Sequence, residues 1–135
     1  MRETSTVAIL AWVLLGGCAA PRPPAVAPSE AWLSTVRRDI ASRFRLADST
    51  VRVSWTRPSE DTIPVLEVRF DEIATNRLGY FQGDFPTERV LEAAWRHVPA
   101  ALSVRGLLVT LRDIDGYGSF LTPADSLDRH WPRRR

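Results

Sequence analysis

Leu107-Leu108-Val109-Thr110-Leu111-Arg112 is the stretch on which the fold turns. Leu107, Val109 and Leu111 alternate with Leu108, Thr110 and Arg112, the period-two pattern of a half-buried strand. Two earlier segments carry the same period. Val51, Val53 and Trp55 alternate with Arg52, Ser54 and Thr56, and Leu66, Val68 and Phe70 alternate with Val65, Glu67 and Arg69. Arg57-Pro58-Ser59-Glu60-Asp61 supplies turn chemistry between them, and Pro64, which cannot donate within a ladder, marks the start of the second strand. These two strands form a hairpin. The third strand then has two places to go. Beside the first it completes an antiparallel split βαβ layer, and beside the second it pairs in parallel; the first arrangement is the one expected.

Helical periodicity flanks the strands. From Ser29 to Ala47, Trp32, Leu33, Val36, Ile40 and Phe44 form one apolar stripe, with Ser29 as N-cap and Glu30 at the positive end of the dipole. A second helix opens at Pro86, runs to Val98 and stops at Pro99, with Val90, Leu91, Ala94, Trp95 and Val98 on its apolar face. Asp71 to Asp84 reads as a long connection, and after Asp113 the pattern fades into glycine turns. The order α-β-β-α-β predicts an α+β fold in two layers: a three-stranded, mainly antiparallel sheet with two helices on one face. The crossover through the second helix is expected to be right-handed.

Composition sets the class. The chain has 135 residues, 44% of them hydrophobic, with five Trp, enough apolar material for one modest domain. That domain is placed at 29–121, followed by a basic tail over 122–135. All 18 cationic side chains are arginine, which a GC-rich genome accounts for, although the guanidinium fork also suits anionic envelope lipids. A net charge of +2 gives no electrostatic footprint for nucleic acid, and no nucleic-acid partner is expected.

The N-terminus places the protein. Met1 to Thr6 is polar and carries Arg2, Val7 to Leu15 is apolar and uncharged, and Gly16 and Gly17 precede the sole cysteine, Cys18. This is the tripartite layout of a signal peptide, too short to span a bilayer. Leu15-Gly16-Gly17-Cys18 resembles the lipobox of bacterial lipoproteins. The resemblance implies a signal peptide over 1–17, cleavage between Gly17 and Cys18, and acylation of Cys18, so that the membrane is a partner through the acyl chains. Ala19 after the cysteine implies the outer membrane, with the domain facing the periplasm. Ala19 to Pro28, with Pro21, Pro23, Pro24 and Pro28, completes an 18–28 linker of extended polyproline II character. With Cys18 acylated, no thiol remains for a disulfide, a metal or a nucleophile.

Candidate chemistry is sparse, and no metal or cofactor is expected. Asp113-Ile114-Asp115-Gly116 has part of a calcium-loop pattern, but Ala124 stands where the closing ligand belongs, so the run reads as a strand end entering a turn. His97 and His130 lack a partner at metal-ligand spacing, and Ser119 lacks a nucleophile elbow. Asp71-Glu72 sits at a strand exit. Two segments remain as binding candidates: Tyr80 and Phe81 between glycines in Leu78-Gly79-Tyr80-Phe81-Gln82-Gly83, and Trp131 with Arg133, Arg134 and Arg135 at the C-terminus. The leading expectation is a lipid-anchored envelope protein whose small domain binds or scaffolds a protein or another envelope component without catalysis, an envelope protein being the partner considered. The alternative is a small envelope hydrolase using Asp/Glu and His97. Convergence of His97 with Asp71 or Asp113 in a pocket favours the enzyme; a scattered arrangement with Tyr80 and Phe81 exposed favours the binding module.

Overall fold

A computed structural model describes residues 27–57 and 63–133. It contains α1 (Glu30–Arg43), β1 (Val51–Thr56), β2 (Val65–Phe70), α2 (Glu72–Arg77), α3 (Thr87–Trp95), β3 (Gly106–Asp113), β4 (Gly116–Pro123) and α4 (Ala124–His130). The class is α+β. The sheet has four strands rather than three, in the order β1-β2-β3-β4.

β1 and β2 form the expected antiparallel hairpin, with Val53 opposite Val68. β3 lies beside β2 and runs parallel to it, with Val68 opposite Val109. The preference for β3 beside β1 is thereby corrected. The reason lies in burial. β2 is buried at Val65, Leu66, Glu67, Val68 and Phe70, and β3 at Gly106, Leu107, Val109, Thr110 and Leu111, as strands flanked on both sides are. β1 keeps Arg52 and Ser54 exposed and makes an edge.

β4 is the strand that alternation did not reveal. It pairs antiparallel with β3 from Gly106 opposite Pro123 to Asp113 opposite Gly116, closing through Ile114 and Asp115. Asp113 Oδ1 accepts from the Asp115 N–H at 2.5 Å, so this acidic run is a hairpin turn. Two glycines and a largely exposed surface leave β4 with little apolar signal.

The segment expected to be a basic tail belongs to the domain through Arg133. α4 buries Leu127, which joins the same core cluster as Val36 and Ile40 of α1, Val90 and Trp95 of α3, and Leu66, Val68, Phe70, Leu107 and Val109 of the sheet. The strand members of that cluster share one parity, so the helices cover one face of the sheet. The opposite parity carries Arg52, Ser54, Glu67, Arg69, Thr110, Arg112, Tyr117 and Ser119.

Local chemistry sets the helix ends. Ser29 Oγ accepts from the Trp32 N–H at 3.1 Å and starts α1 as expected. α1 ends earlier than Ala47: the Arg45 N–H donates to Ser42 O and the Leu46 N–H to Ala41 O, a Schellman stop that puts Arg45 at φ 55°. α3 likewise ends at Trp95, and a tight turn carries the chain through Val98 to Pro99. The connection after Asp71 is not plain loop, because Asp71 Oδ1 accepts from the Ala74 N–H at 2.9 Å and caps α2.

Candidate functional site

The carboxyl ends of the parallel pair β2 and β3 gather the features that look outward. Asp71 follows β2, the β3–β4 turn follows β3, and a 3-10 turn over Asp48–Thr50 leads into β1 at the same end.

On the helix-covered side stands the aromatic segment. Tyr80–Gln82 forms a 3-10 turn framed by Gly79 at φ 78° and Gly83 at φ 77°. Both glycines hold left-handed backbone that other residues rarely adopt, and a Cβ at Gly79 would sit 3.1 Å from the Asp84 Cβ. The Gln82 and Asp84 N–H groups both donate to Gly79 O, at 3.0 Å each. The glycines therefore fix the segment. A run of edge-to-face rings ties it to the core: Phe70 meets Phe85 at 6.2 Å, Phe85 meets Tyr80 at 6.3 Å, and Tyr80 meets Phe81 at 5.3 Å. Tyr80 is 42% and Phe81 51% exposed, so the outermost rings stay uncovered on a rigid base.

On the other face stands a group that sequence reasoning missed. Arg52 lies directly opposite Arg69, Arg69 opposite Thr110, and Arg112 opposite Tyr117. Arg69 reaches across Thr110 so that its guanidinium carbon lies 4.8 Å from the Tyr117 ring centre; that of Arg112 lies 5.1 Å away. Arg112 Nη1 donates to Tyr117 Oη at 2.9 Å. Arg69 also donates to Glu67 Oε1, from Nε at 3.0 Å and Nη2 at 2.9 Å. Ser49, Thr50, Arg52, Arg69, Asp71, Arg112 and Tyr117 enclose a pocket of about 200 Å³. The signal was present as parity, since Arg52, Arg69 and Arg112 all occupy the polar phase of their strands. Without the β2–β3 register nothing brought them together.

The remaining candidates are scattered. His97 follows α3 and faces α1, where its Nε2 donates to Asp39 Oδ2 at 2.6 Å. Arg43 Nε donates to the same oxygen at 2.9 Å. Burial raises the Asp39 carboxyl, but the hydrogen bonds from His97 and Arg43 outweigh it and hold the group below its ordinary value. Asp71 is a helix cap, Asp113 belongs to a turn, and neither meets His97. His130 Nδ1 bonds its own helix at Ser126 O, and Ser119 stands in β4 opposite Thr110.

The C-terminal group serves the domain itself. Arg133 binds Asp128 through both carboxylate oxygens, at 3.0 and 3.2 Å, and donates to Pro99 O and Leu102 O at 3.2 and 3.0 Å. Its guanidinium lies 4.8 Å from the Trp95 ring centre, and Trp95 Nε1 donates to Asp128 at 3.0 Å. Trp131 packs against the core cluster, so neither it nor Arg133 is a free surface patch. Arg134, Arg135, Leu15, Gly16, Gly17 and Cys18 lie outside the described residues.

No known protein family, curated protein or solved structure matches this chain. No helix among the described residues is long and apolar enough to cross a membrane.

Proposed function

We propose that this protein is a lipid-anchored module of the bacterial envelope that binds an envelope protein through the Tyr80–Phe81 turn. The single observation that carries the binding role is the exposed aromatic pair held rigid by two left-handed glycines. Large amphipathic rings presented at low entropic cost are favoured contacts at protein interfaces. The anchor rests on Leu15-Gly16-Gly17-Cys18, and Ala19 supports an outer-membrane address. Two or more acyl chains give a durable hold, and tethering raises the local concentration of the domain for any membrane neighbour. The separation of His97 from Asp71 and Asp113 weighs for binding over hydrolysis.

Photocrosslinking tests the binding role. With p-benzoylphenylalanine in place of Phe81, the chain in its native membrane is expected to give a discrete protein adduct, absent when the reagent replaces exposed Arg129. Adducts identical at both positions, or lipid adducts alone, overturn it. The anchor has its own test: Cys18→Ser should block processing and move the protein out of the detergent phase. An uncleaved wild-type chain that partitions like the variant overturns the anchor.

A further inference from the structure

Several pockets on this molecule are lined by arginine, and most of those arginines are already partnered. The cleft beside α3 and α4 presents Arg43, Arg96 and Arg133, each in a salt bridge with Asp39, Glu92 or Asp128. The pocket at the carboxyl end of β2 and β3 differs. Arg52 and Arg69 face each other directly across adjacent strands, a like-charge pairing that weakens a sheet unless something neutralises it. Arg112 meets a phenol rather than a carboxylate. Among the described residues, Glu67 is the one carboxylate that bonds an arginine of this face.

We propose that the pocket formed by Arg52, Arg69, Arg112, Tyr117 and Ser49 is a binding site for a phosphate group. The inference goes beyond the binding role given to Tyr80 and Phe81 and uses none of their atoms. Charge sets the class. Three guanidiniums face the Asp71 carboxylate of the lining and Glu67, which bonds Arg69 from beside the pocket, leaving a surplus of one positive charge that favours an anionic group. Donor count separates phosphate from carboxylate. Arg69 gives two of its N–H groups to Glu67 and Arg112 one to Tyr117, and the donors that remain on the three forks still exceed what two carboxylate oxygens accept, whereas a phosphate offers three or more oxygens. Tyr117 adds one donor, because its oxygen accepts from Arg112 and leaves its own proton free. The Thr50 hydroxyl is already donated to Ala47 O at 2.7 Å, so Ser49 is the hydroxyl that remains. Asp71 is occupied as the α2 cap, which turns one of its oxygens toward the Ala74 N–H. A volume of about 200 Å³ suits a phosphate with a small substituent, not an extended chain.

A free phosphate ester and a lipid headgroup present the same chemistry, and the test has an arm for each. The full chain is reconstituted in phosphatidylcholine vesicles and its thermal midpoint followed by tryptophan fluorescence. In the first arm inorganic phosphate is added against chloride of equal ionic strength; in the second, phosphatidic acid is built into the vesicles. A rise in midpoint in either arm supports the site and identifies the source. Arg112→Gln and Arg52→Gln should remove the rise, and Arg112→Lys, which keeps charge and loses the fork, should weaken binding about tenfold. Arg129→Gln, an exposed cation on α4, should respond as the wild type does. No rise in either arm, or a rise that the pocket variants share with the wild type, overturns the proposal.

Discussion

Two groups of arginines in this small domain show opposite uses of the same side chain. At the C-terminus, Arg133 spends its donors on Asp128, Pro99 O and Leu102 O and covers the Trp95 ring. On the sheet, Arg52 and Arg69 stand opposed and Arg112 leans on Tyr117. The first group closes the protein on itself. The second leaves charge facing outward at a place where the backbone gains nothing from it. A guanidinium whose donors the fold has used is structural, and guanidiniums held near one another that outnumber the carboxylates bonding them among the described residues mark a place for an anion. The contrast predicts that the two groups respond to substitution with opposite sign.

Trp95→Ala attacks the closed group at its centre and has the largest expected effect. Trp95 is fully buried, anchors Asp128 through Nε1 and supports Arg133 from below. Truncating a buried aromatic of this size costs about 3–5 kcal/mol, to be read as a shift in the denaturant midpoint of the full chain. Arg133→Ala comes next, at about 2 kcal/mol, because it strips charged donors from Asp128 and from two backbone carbonyls. A loss below ~0.5 kcal/mol for Arg133→Ala would break the comparison, since the C-terminal arginine would then be as dispensable as a surface residue.

Asp39 extends the closed group to the α1–α3 contact. It accepts from both His97 and Arg43, and Asp39→Asn is expected to cost about 1 kcal/mol at neutral pH. The folded carboxyl titrates below its ordinary value of 3.8, so its contribution is complete above that value and disappears as pH falls through the lower folded value. The difference in stability between wild type and Asp39→Asn should therefore shrink on acidification below about pH 4. A difference that stays constant down to pH 2 would remove Asp39 from the closed group.

Much of the framework was legible in the sequence. Period-two alternation found β1, β2 and β3, helical stripes found α1 and α3, and Ser29 marked the start of α1. The losses have identifiable physical causes. β4 contains Gly116 and Gly118 and exposes most of its length, so it carries little alternation. Strand neighbours depend on burial from both sides, which Val65-Leu66 and Leu107-Leu108 hinted at as unbroken apolar pairs. α4 looked like a tail because Leu127 is its one buried residue and the charge around it resembles a solvated segment. Tyr80 and Phe81 were visible because aromatics between glycines are a local signal. The arginine pocket was not, because it exists only once β1, β2, β3 and β4 are in register.

Arg52→Gln is the smallest effect and the most telling. In the closed group any removal costs stability. At Arg52 the substitution ends a direct like-charge pairing with Arg69 while keeping a polar side chain on an exposed edge strand. Cross-strand pairs of this kind are worth roughly 0.2–1 kcal/mol, so the variant without added anion should gain a few tenths of a kcal/mol. The gain should fade as salt rises, because a Debye length of about 8 Å at physiological ionic strength falls to about 3 Å at 1 M and screens exposed repulsion. Denaturant titrations at low and high salt read both quantities on the same chain. A loss of stability at low salt would mean that Arg52 is held by acceptors as Arg133 is, and the two groups of arginines would no longer differ in kind.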